Sequence, residues 1–443
     1  MAKIFPFRAW RYNPEKVGNL ADVVTQPYDK ITPEMQDRYY QHPFNLVRII
    51  RGRAFPDDDE RSNVYTRAAR TLEQWIEERV LIRDDRPSFY IYHQRYALPS
   101  GDRRVRKGFI GLGQIEDYEA KVVFPHERTL RGPKIDRLNV LRATRAHFGQ
   151  IFMLYSDPAR RIDEILDEHA DHDPDMRAVD EYGVEHLVWR LSDESAVTHI
   201  QRLMADRPLI IADGHHRYET ALAYRDERRA AAGRIDLHAP YERVMMTFIN
   251  TESGGLTILP THRLIKPLRQ LDLSSLLSFL ERHFDLHSYP FLDERQKAAS
   301  ARALRQDMER LGRERSTFGM YAAGRAAFFR LQYRGDPAGA VLMEHVSPRL
   351  RKLDVTILHA IIIERGLGLT PEFIAEHEPI VYLREFQAGI RRVDEGEGAI
   401  CFFLNPTRID QVRDVALAGE VLPQKSTDFY PKLLSGLTIY RLE

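Results

Sequence analysis

Several features that would assign this chain to a common class are scarce or missing from its 443 residues. The single cysteine, Cys401, excludes a disulfide framework and a cysteine-based zinc site, and it suits a reducing compartment. No run of about 18 apolar residues occurs, and the amino-terminal stretch lacks the apolar core of a signal peptide. We therefore expect a cytoplasmic protein with no membrane partner.

The chain also has no excess of either charge, because 65 lysines and arginines balance 65 aspartates and glutamates. A balanced global field does not attract nucleic acid, so no nucleic-acid partner is expected. Familiar catalytic motifs are missing as well: the sequence has no Walker loop, no complete dinucleotide fingerprint, no His-Glu-x-x-His helix and no Gly-x-Ser-x-Gly elbow. Any indication of function must therefore come from shorter local patterns in the sequence.

Strand and helix patterns alternate along the chain, which predicts an α+β protein with mixed sheets. An aromatic-rich run at 89–96, a Pro-Ser-Gly-Asp turn and an apolar run at 105–115 predict a hairpin. A strand is predicted within 42–52, and the prolines and glycine of 124–136 predict a loop.

The length favours more than one domain. The pattern changes to helices plus a hairpin between about 266 and 293, so we predict a nucleotide-binding and catalytic region at 1–270. The remaining region, 271–443, is predicted to be an α+β lid, dimerisation or substrate domain.

The most specific pattern is a strand that stops at a glycine and opens a helix, Leu209-Ile-Ile-Ala-Asp213-Gly214-His215-His216-Arg217. Such a turn leaves backbone N–H groups unpaired at the helix N-terminus, where the helix dipole favours an anion. A nearby guanidinium can add a two-pronged contact to phosphate oxygens. The sequence therefore predicts a phosphate site at 213–217, against the plainer alternative that Asp213 only caps the helix beside solvated histidines.

A second concentration of polar residues could supply a catalytic base, which must reach the hydroxyl of an acceptor. Glu127 and Asp29 compete for this role, Glu127 in a loop rich in cations and Asp29 in a proline-bounded turn. The plain alternatives are a surface ion-pair cluster and a turn residue. Lys425 and Lys432 are weaker candidates, because a lysine pair near a C-terminus usually faces solvent. The candidate catalytic residues are Glu127, Asp29 and His126, and the candidate substrate-binding residues are Arg128, Thr129, Lys134, His262 and Arg263.

The turn Asp213-Gly-His-His-Arg-Tyr-Glu-Thr-Ala221 resembles the phosphate-binding turn of the ParB/sulfiredoxin superfamily, and within it that of the free serine kinases. The whole chain also resembles a bacterial and archaeal family known as domain of unknown function 1015. The motifs that carry this second resemblance are Gln26-Pro-Tyr-Asp-Lys-Ile, Pro125-His-Glu-Arg-Thr, the central turn, Pro260-Thr-His-Arg, and Gln424-Lys-Ser-Thr with Pro431-Lys432. The resemblance implies a ParB/sulfiredoxin-like nucleotide-binding core.

Departures from these relatives narrow the expected function. Sulfiredoxin needs a cysteine where His215 stands, and ParB needs a helical DNA-binding domain that is not visible here. The function that remains is an ATP-dependent kinase of a small molecule, with L-serine as the best candidate acceptor. Mg²⁺ is the expected metal cofactor, and Asp213 is the candidate ligand for Mg²⁺. A homodimer is the candidate assembly.

Two other functions stay open. A non-catalytic nucleotide-binding regulatory protein would keep the phosphate turn without a positioned carboxylate. A metal-dependent hydrolase would use His126, Asp213, His215 and His262 as ligands, although these residues lack helical ligand spacing.

Overall fold

The computed structural model describes residues 2–98, 101–127, 131–268, 271–335, 337–423 and 425–442. The chain divides into two compact units, unit 1 (Met1–Thr257 with Phe429–Glu443) and unit 2 (Ile258–Asp428). The end of the chain therefore belongs to the unit in which the chain begins. The predicted roles of 1–270 and 271–443 remain predictions.

The strands of the described chain are, in order, β1 Ile4–Phe5, β2 Trp10–Tyr12, β3 Leu81–Arg83, β4 Phe89–Ala97, β5 Arg103–Gln114, β6 Val123–Phe124, β7 Ala146–His147, β8 Ile151–Tyr155, β9 Met176–Val179, β10 Glu185–Leu191, β11 Leu209–Asp213, β12 Arg243–Asn250, β13 Thr257–Leu259, β14 His262–Ile265, β15 Phe284–Pro290, β16 Thr317–Ala322, β17 Ala327–Tyr333, β18 Ile380–Leu383, β19 Ile400–Phe403, β20 Asp428–Tyr430 and β21 Tyr440–Arg441.

The α-helices are α1 Pro14–Val17, α2 Pro33–Tyr40, α3 Val47–Ile50, α4 Val64–Glu77, α5 Arg131–Thr144, α6 Arg161–Glu168, α7 Glu194–Met204, α8 His215–Ala232, α9 Leu273–His283, α10 Glu294–Leu311, α11 Pro337–Leu342, α12 Asp354–Ile357, α13 Pro371–His377, α14 Phe386–Asp394 and α15 Ile409–Leu417. Short 3₁₀ turns lie at Leu20–Asp22, Tyr28–Lys30, Tyr118–Ala120, Pro240–Glu242 and Leu350–Lys352, and Leu358–Gly366 is a π-helix. The predicted α+β class is confirmed by this mixture of sheets and helices. None of the described helices combines the length and the apolar character that a membrane crossing requires.

Unit 1 is built on a mixed sheet with the strand order β6-β11-β8-β12-β5-β4-β10-β9, and β1 pairs with β5 at its side. The pairs β6–β11 and β8–β12 are parallel, and the other neighbours are antiparallel. Strand β8 is buried along its whole length because its five residues, Ile-Phe-Met-Leu-Tyr, are all apolar or aromatic. The predicted hairpin is confirmed as β4 and β5.

Helices α6, α7 and α8 pack on this sheet, and α8 begins directly after the end of β11. Their apolar faces, represented by Leu166, Ile200 and Tyr218, join one buried cluster with the strands. The hydroxyl of Tyr218 donates to the carbonyl of Glu116 at 2.7 Å, which fixes the first turn of α8 against the end of β5.

Unit 2 contains an antiparallel sheet with the order β15-β17-β16-β19-β14-β18. Helices α10 and α14 pack on it through a second apolar cluster that includes Leu304, Ile390 and the buried Cys401. The sequence predicts a helix over 294–311 and a second hairpin over 318–331, and both are confirmed, as α10 and as β16 with β17.

Two local predictions were wrong. The stretch 42–52 holds helix α3 instead of a strand, because a short apolar run fits a buried helix as well as a buried strand. The side-chain oxygen of Asn45 accepts the backbone N–H of Val47 at 2.9 Å and helps to start this helix. The predicted loop 124–136 ends early, since α5 begins at Arg131 and Pro133 falls in its first turn, where a missing N–H costs no helix bond.

Candidate functional site

The phosphate turn is a strand–glycine–helix junction, as its sequence indicates. Strand β11 ends at Asp213, helix α8 begins at His215, and Gly214 between them has a φ of 94°. A Cβ atom on Gly214 would lie 3.0 Å from the guanidinium of Arg217. Glycine is therefore required here twice, for its left-handed backbone and for the arginine that folds back over it.

A β-bulge aims the carboxylate at the end of β11. The pairing of β11 with β8 runs from Ile210 and Ile211 to Asp213 with a shift of register in between. Bulges re-aim a side chain locally and are frequent beside functional sites. Within α8, the backbone N–H of Tyr218 bonds to the carbonyl of Gly214 at 3.0 Å, so the preceding turn directs its N–H groups out of the helix end.

Two cations hold Asp213. Arg217 Nη2 donates to Asp213 Oδ2 at 2.7 Å, and Lys432 Nζ donates to Asp213 Oδ1 at 3.1 Å. The other guanidinium nitrogen of Arg217, Nη1, donates to the backbone carbonyl of Gln150. Burial alone would raise the pKa of Asp213, but Lys432, Arg217 and Lys30 together hold that pKa well below its usual range. Asp213 is therefore ionised throughout the physiological pH range.

Lys432 reaches the turn because unit 1 binds the returning end of the chain. The buried guanidinium of Arg106 donates to Gln94 Oε1 at 2.9 Å and to the carbonyls of Tyr430, at 3.2 Å, and Pro431. Gln94 Nε2 in turn donates to the carbonyl of Lys432 at 2.8 Å. The expectation that Lys432 faces solvent was wrong, since only 10% of its side chain is exposed.

The first histidine of the turn is structural. The backbone N–H of His126 donates to His215 Nε2 at 3.2 Å, and the two rings meet edge to face with their centroids 4.7 Å apart. His126 Nδ1 contacts the carbonyl of Ile211. Burial lowers the pKa of His126 to about 4 and the pKa of His215 well below its usual value, so both rings are neutral. The pair ties the 124–127 segment to the start of α8.

The second histidine, His216, lies among the candidate carboxylates. Burial lowers its pKa, the neighbouring Glu219 raises it, and Asp29 and Glu127 are both close enough to raise it further. Lys134 acts in the opposite direction and forms an ion pair with Glu219. Asp29, Glu127 and Lys134 are thus close enough to His216 to shift its pKa, and their roles in a site remain predictions.

A small cleft of about 70 Å³ adjoins Arg217. Its walls are largely apolar and include Ile50, Leu141 and Phe148. Tyr28 and Arg137 line it as well, with the guanidinium carbon of Arg137 4.1 Å from the centre of the Tyr28 ring. An apolar cleft with an aromatic ring beside a cationic turn suits a flat, partly apolar group attached to an anion.

A protein-bound metal finds no support at this turn. Both carboxylate oxygens of Asp213 are engaged by cations, and Nε2 of His215 accepts a backbone N–H. Across the part of the chain that the structure describes, no group of three His, Cys, Asp or Glu side chains has the arrangement of a metal site. Asp213 as a Mg²⁺ ligand and the four-ligand hydrolase site remain predictions from the sequence.

Four predicted substrate-binding residues remain: Arg128, Thr129, His262 and Arg263. Arg128 and Thr129 fall outside the described residues. His262 and Arg263 lie on β14 of unit 2, where both are buried. His262 Nδ1 accepts the backbone N–H of Leu404 at 3.2 Å, and burial lowers its pKa to about 3.

Sequence reasoning missed Lys30 and Arg106 as members or supports of the site, and it ranked Lys432 only as a weaker candidate. Lys30 belongs to the Gln26-Pro-Tyr-Asp-Lys motif, so the density of polar residues there was an available signal. Arg106 had no such signal, because an arginine on a predicted strand is normally exposed.

Comparison with solved structures gives distant likenesses only. A conserved hypothetical protein from Pyrococcus furiosus is 12% identical with a TM-score of 0.34, and the match covers 72% of this chain and 91% of that one. A free serine kinase in complex with AMP is 12% identical with a TM-score of 0.34, over 71% and 89% of the two chains. SbnI with a C-terminal truncation, from Staphylococcus aureus, is 9% identical with a TM-score of 0.34, over 74% and 87%.

A search of curated proteins gives no match. The sequence model of one family matches residues 4–356, which is most of the chain. The match confirms the family resemblance drawn from the sequence motifs. The chain belongs to the family described as Protein of unknown function (DUF1015).

Proposed function

We propose that the chain is an ATP-dependent kinase of a small hydroxyl compound, with free L-serine, giving O-phosphoserine, as the best candidate acceptor. The observation that carries the proposal is the junction of a cationic strand–glycine–helix turn with two carboxylates. Lys432 lies 3.1 Å from Asp213, while Asp29 and Glu127 both act on His216 in the same turn. Phosphoryl transfer needs this combination, because phosphate charge must be offset beside a base that can reach the acceptor.

The cations have different roles in this proposal. Arg217 is already committed to Asp213 and to the Gln150 carbonyl, so it holds the shape of the turn. Lys30 and Lys432, together with the outward N–H groups at the start of α8, offer positive potential to the phosphates of the nucleotide. The cleft beside Tyr28, of about 70 Å³, is smaller than a nucleoside, so we assign it no part of the nucleotide.

In the reaction, the acceptor oxygen forms a bond to the γ-phosphorus, the bond to the ADP oxygen breaks, and the hydroxyl proton passes to a carboxylate. Glu127 and Asp29 remain alternative bases: Glu127 is partly buried beside the His126–His215 pair, and Asp29 is exposed. Mg²⁺ would offset phosphate charge when bound. The described residues include no ligand set for it, so we assign it no ligand in the chain.

The deciding assay incubates the full-length protein with ATP, Mg²⁺ and L-serine and detects phosphoserine by mass spectrometry. Product formation is expected. A silent result across a panel of hydroxyl-bearing and other amino acids, with nucleotide binding retained by calorimetry, would refute the kinase and leave the nucleotide-binding regulatory protein.

Variants separate the roles of the residues. Glu127→Gln should lower turnover by about 100-fold or more while nucleotide binding is kept, if Glu127 is the base. Arg217→Ala should weaken nucleotide binding itself, because the turn loses its brace. Glu164→Gln, which changes an exposed carboxylate on α6, is the matched control and should behave like the parent protein. Full activity in Glu127→Gln would transfer the base to Asp29, for which Asp29→Asn is the test.

A cytoplasmic location and a homodimer stay predictions, as does the role of the C-terminal region. Size-exclusion chromatography with light scattering measures the assembly directly.

A further inference from the structure

Unit 2 contains a cleft that the proposed kinase does not use. Its volume is about 700 Å³, ten times that of the cleft beside Arg217, and it lies within the range of small-molecule sites. Three segments line it: 312–316 after α10, 348–354 before and at the start of α12, and 408–420 along α15. All three belong to one compact unit.

The cleft gathers basic side chains, and several of them lack an acidic partner. Two are engaged, since Arg349 pairs with Glu420 at 2.9 Å and Arg408 pairs with Asp410 at 3.3 Å. Three more line the cleft, and for these no ion pair occurs with any residue that the structure describes: Arg313, Arg315 and Lys352.

Five acidic side chains line the cleft together with its five basic ones. Asp414 forms an ion pair of 3.3 Å with Arg413, which does not line the cleft. Glu314 and Asp354 are the two lining carboxylates for which no ion pair occurs with a described residue. Burial raises the pKa of Asp354 to about 6, against the opposing effects of Ser316 and Arg408, so this carboxyl is protonated more readily than an ordinary one. Outside these ion pairs, three basic and two acidic side chains remain, while the lining as a whole has five of each sign.

The floor of the cleft adds a smaller apolar contribution. Leu353 and Val415 line it and are almost fully buried, with 2% and 1% of their surface exposed. A free phosphate ion would fill little of such a volume, whereas a larger molecule could contact cations on both 313–315 and 352 at once.

We propose that this cleft in unit 2 binds a small metabolite that carries two or more phosphate or carboxylate groups, held by Arg313, Arg315 and Lys352. The site is separate in the chain from the phosphate turn at 213–217 and does not depend on the kinase proposal. A ligand at this place would make the C-terminal unit a sensor or specificity element.

Calorimetric titration of the full-length protein tests this, with pyrophosphate as the phosphate probe and citrate as the carboxylate probe. The key variant is Arg313→Gln/Arg315→Gln/Lys352→Gln. We expect binding of at least one probe in the parent protein, about 10-fold or greater weakening in the triple variant, and weaker binding as salt is raised.

Controls distinguish the two sites. Arg302→Gln removes an exposed arginine of α10 that does not line the cleft and should leave binding unchanged. Arg217→Ala, which damages the phosphate turn in unit 1, should also leave the unit 2 binding event intact. A charge-keeping variant, Arg313→Lys/Arg315→Lys, should retain most of the affinity and shows that loss in the triple variant is not a folding defect.

Selective binding of pyrophosphate identifies a phosphate ester as the ligand, and selective binding of citrate identifies a polycarboxylate. Absence of binding by both probes, or equal binding by the parent and the triple variant, overturns the proposal.

Discussion

Two arginines that directly follow a histidine in the sequence, Arg217 in unit 1 and Arg263 in unit 2, have opposite surroundings. Arg217 pairs with the carboxylate of Asp213 at 2.7 Å. Arg263 has no carboxylate partner within the described residues, and its guanidinium donates to the carbonyls of Thr261 and, at 3.0 Å, Lys425. Arg217 keeps 15% of its side chain exposed, whereas only 1% of Arg263 is exposed.

The same His-Arg pair therefore lies at a charged turn in unit 1 and within a buried strand in unit 2. Burial lowers the pKa of Arg263 to about 10, which still leaves it charged at neutral pH. A buried cation without a counter-ion is costly, and carbonyl dipoles offset part of that cost. The Tyr382 ring, 5.4 Å from the guanidinium carbon, adds a cation–π contact.

The largest expected effect comes from removing the arginine that lacks a carboxylate. Arg263→Ala should lower the free energy of unfolding by about 3 kcal/mol, because two carbonyls lose their donor and a cavity remains in the sheet. Urea denaturation gives the change, and hydrogen exchange assigns it to unit 2. Arg384→Ala is the control, since this arginine pairs with Asp428 but has 40% of its side chain exposed, so about 0–1 kcal/mol is expected. Equal losses in the two variants would contradict the role of burial.

A second effect concerns one buried neutral histidine in each unit. The pKa is about 4 for His126 and about 3 for His262, both below the value of about 6.5 in an unfolded chain. The unfolded state therefore takes up protons first as pH falls, and stability is lost from about pH 6.5 downward until each folded-state pKa is reached. Between pH 6.5 and pH 4.5 we expect each histidine to lower the free energy of unfolding by about 2–3 kcal/mol.

The measurement is urea unfolding between pH 7.5 and pH 4.5. His262→Asn keeps an acceptor for the Leu404 N–H and does not titrate, so it should flatten the pH dependence by about one proton. An unchanged slope in this variant, with the fold intact, would show that His262 is not buried in the neutral form.

The smallest of the three effects comes from making Arg217 resemble Arg263. Asp213→Asn leaves Arg217 and Lys432 facing a neutral amide and should cost about 1–2 kcal/mol, since 24% of the Asp213 side chain is exposed and water relieves part of the penalty. Glu227→Gln breaks an exposed pair with Arg142 and should cost less than about 0.5 kcal/mol.

Much of the fold was predictable because its signals are local. The limits of α10 and both hairpins follow from helical spacing, alternation and glycine-containing turns. The predictions that were wrong fall where the local pattern fits two structures. The apolar run in α3 is too short to distinguish a helix from a strand. The proline near the start of α5 suggests a loop, although it lies in the first turn of the helix. The apolar pattern over 353–364 also predicts one helix, whereas the structure changes from an α-helix to a π-helix at Leu358, and such a change has no periodic signature.

The candidate site was predictable only in part. The segments with Asp29, Glu127 and the 213–217 turn were selected because polar residues are dense at strand and loop ends, and they do meet in unit 1. The separation of roles within the turn could not be predicted. His215 and His216 are neighbours in the sequence, yet His215 packs against His126 while His216 lies among carboxylates, because successive side chains on a helix point in different directions.

The sequence by itself determined the strand–glycine–helix turn, since one glycine, one strand and one helical pattern suffice to specify it. Only the tertiary structure decided the charge of that turn. Lys432 contacts Asp213 across 219 residues of chain, and it is held there by Arg106 and Gln94 on the central hairpin. The physical reason is that ion pairs across a fold depend on where segments return to the sheet, and such returns leave no period, composition or spacing in the sequence.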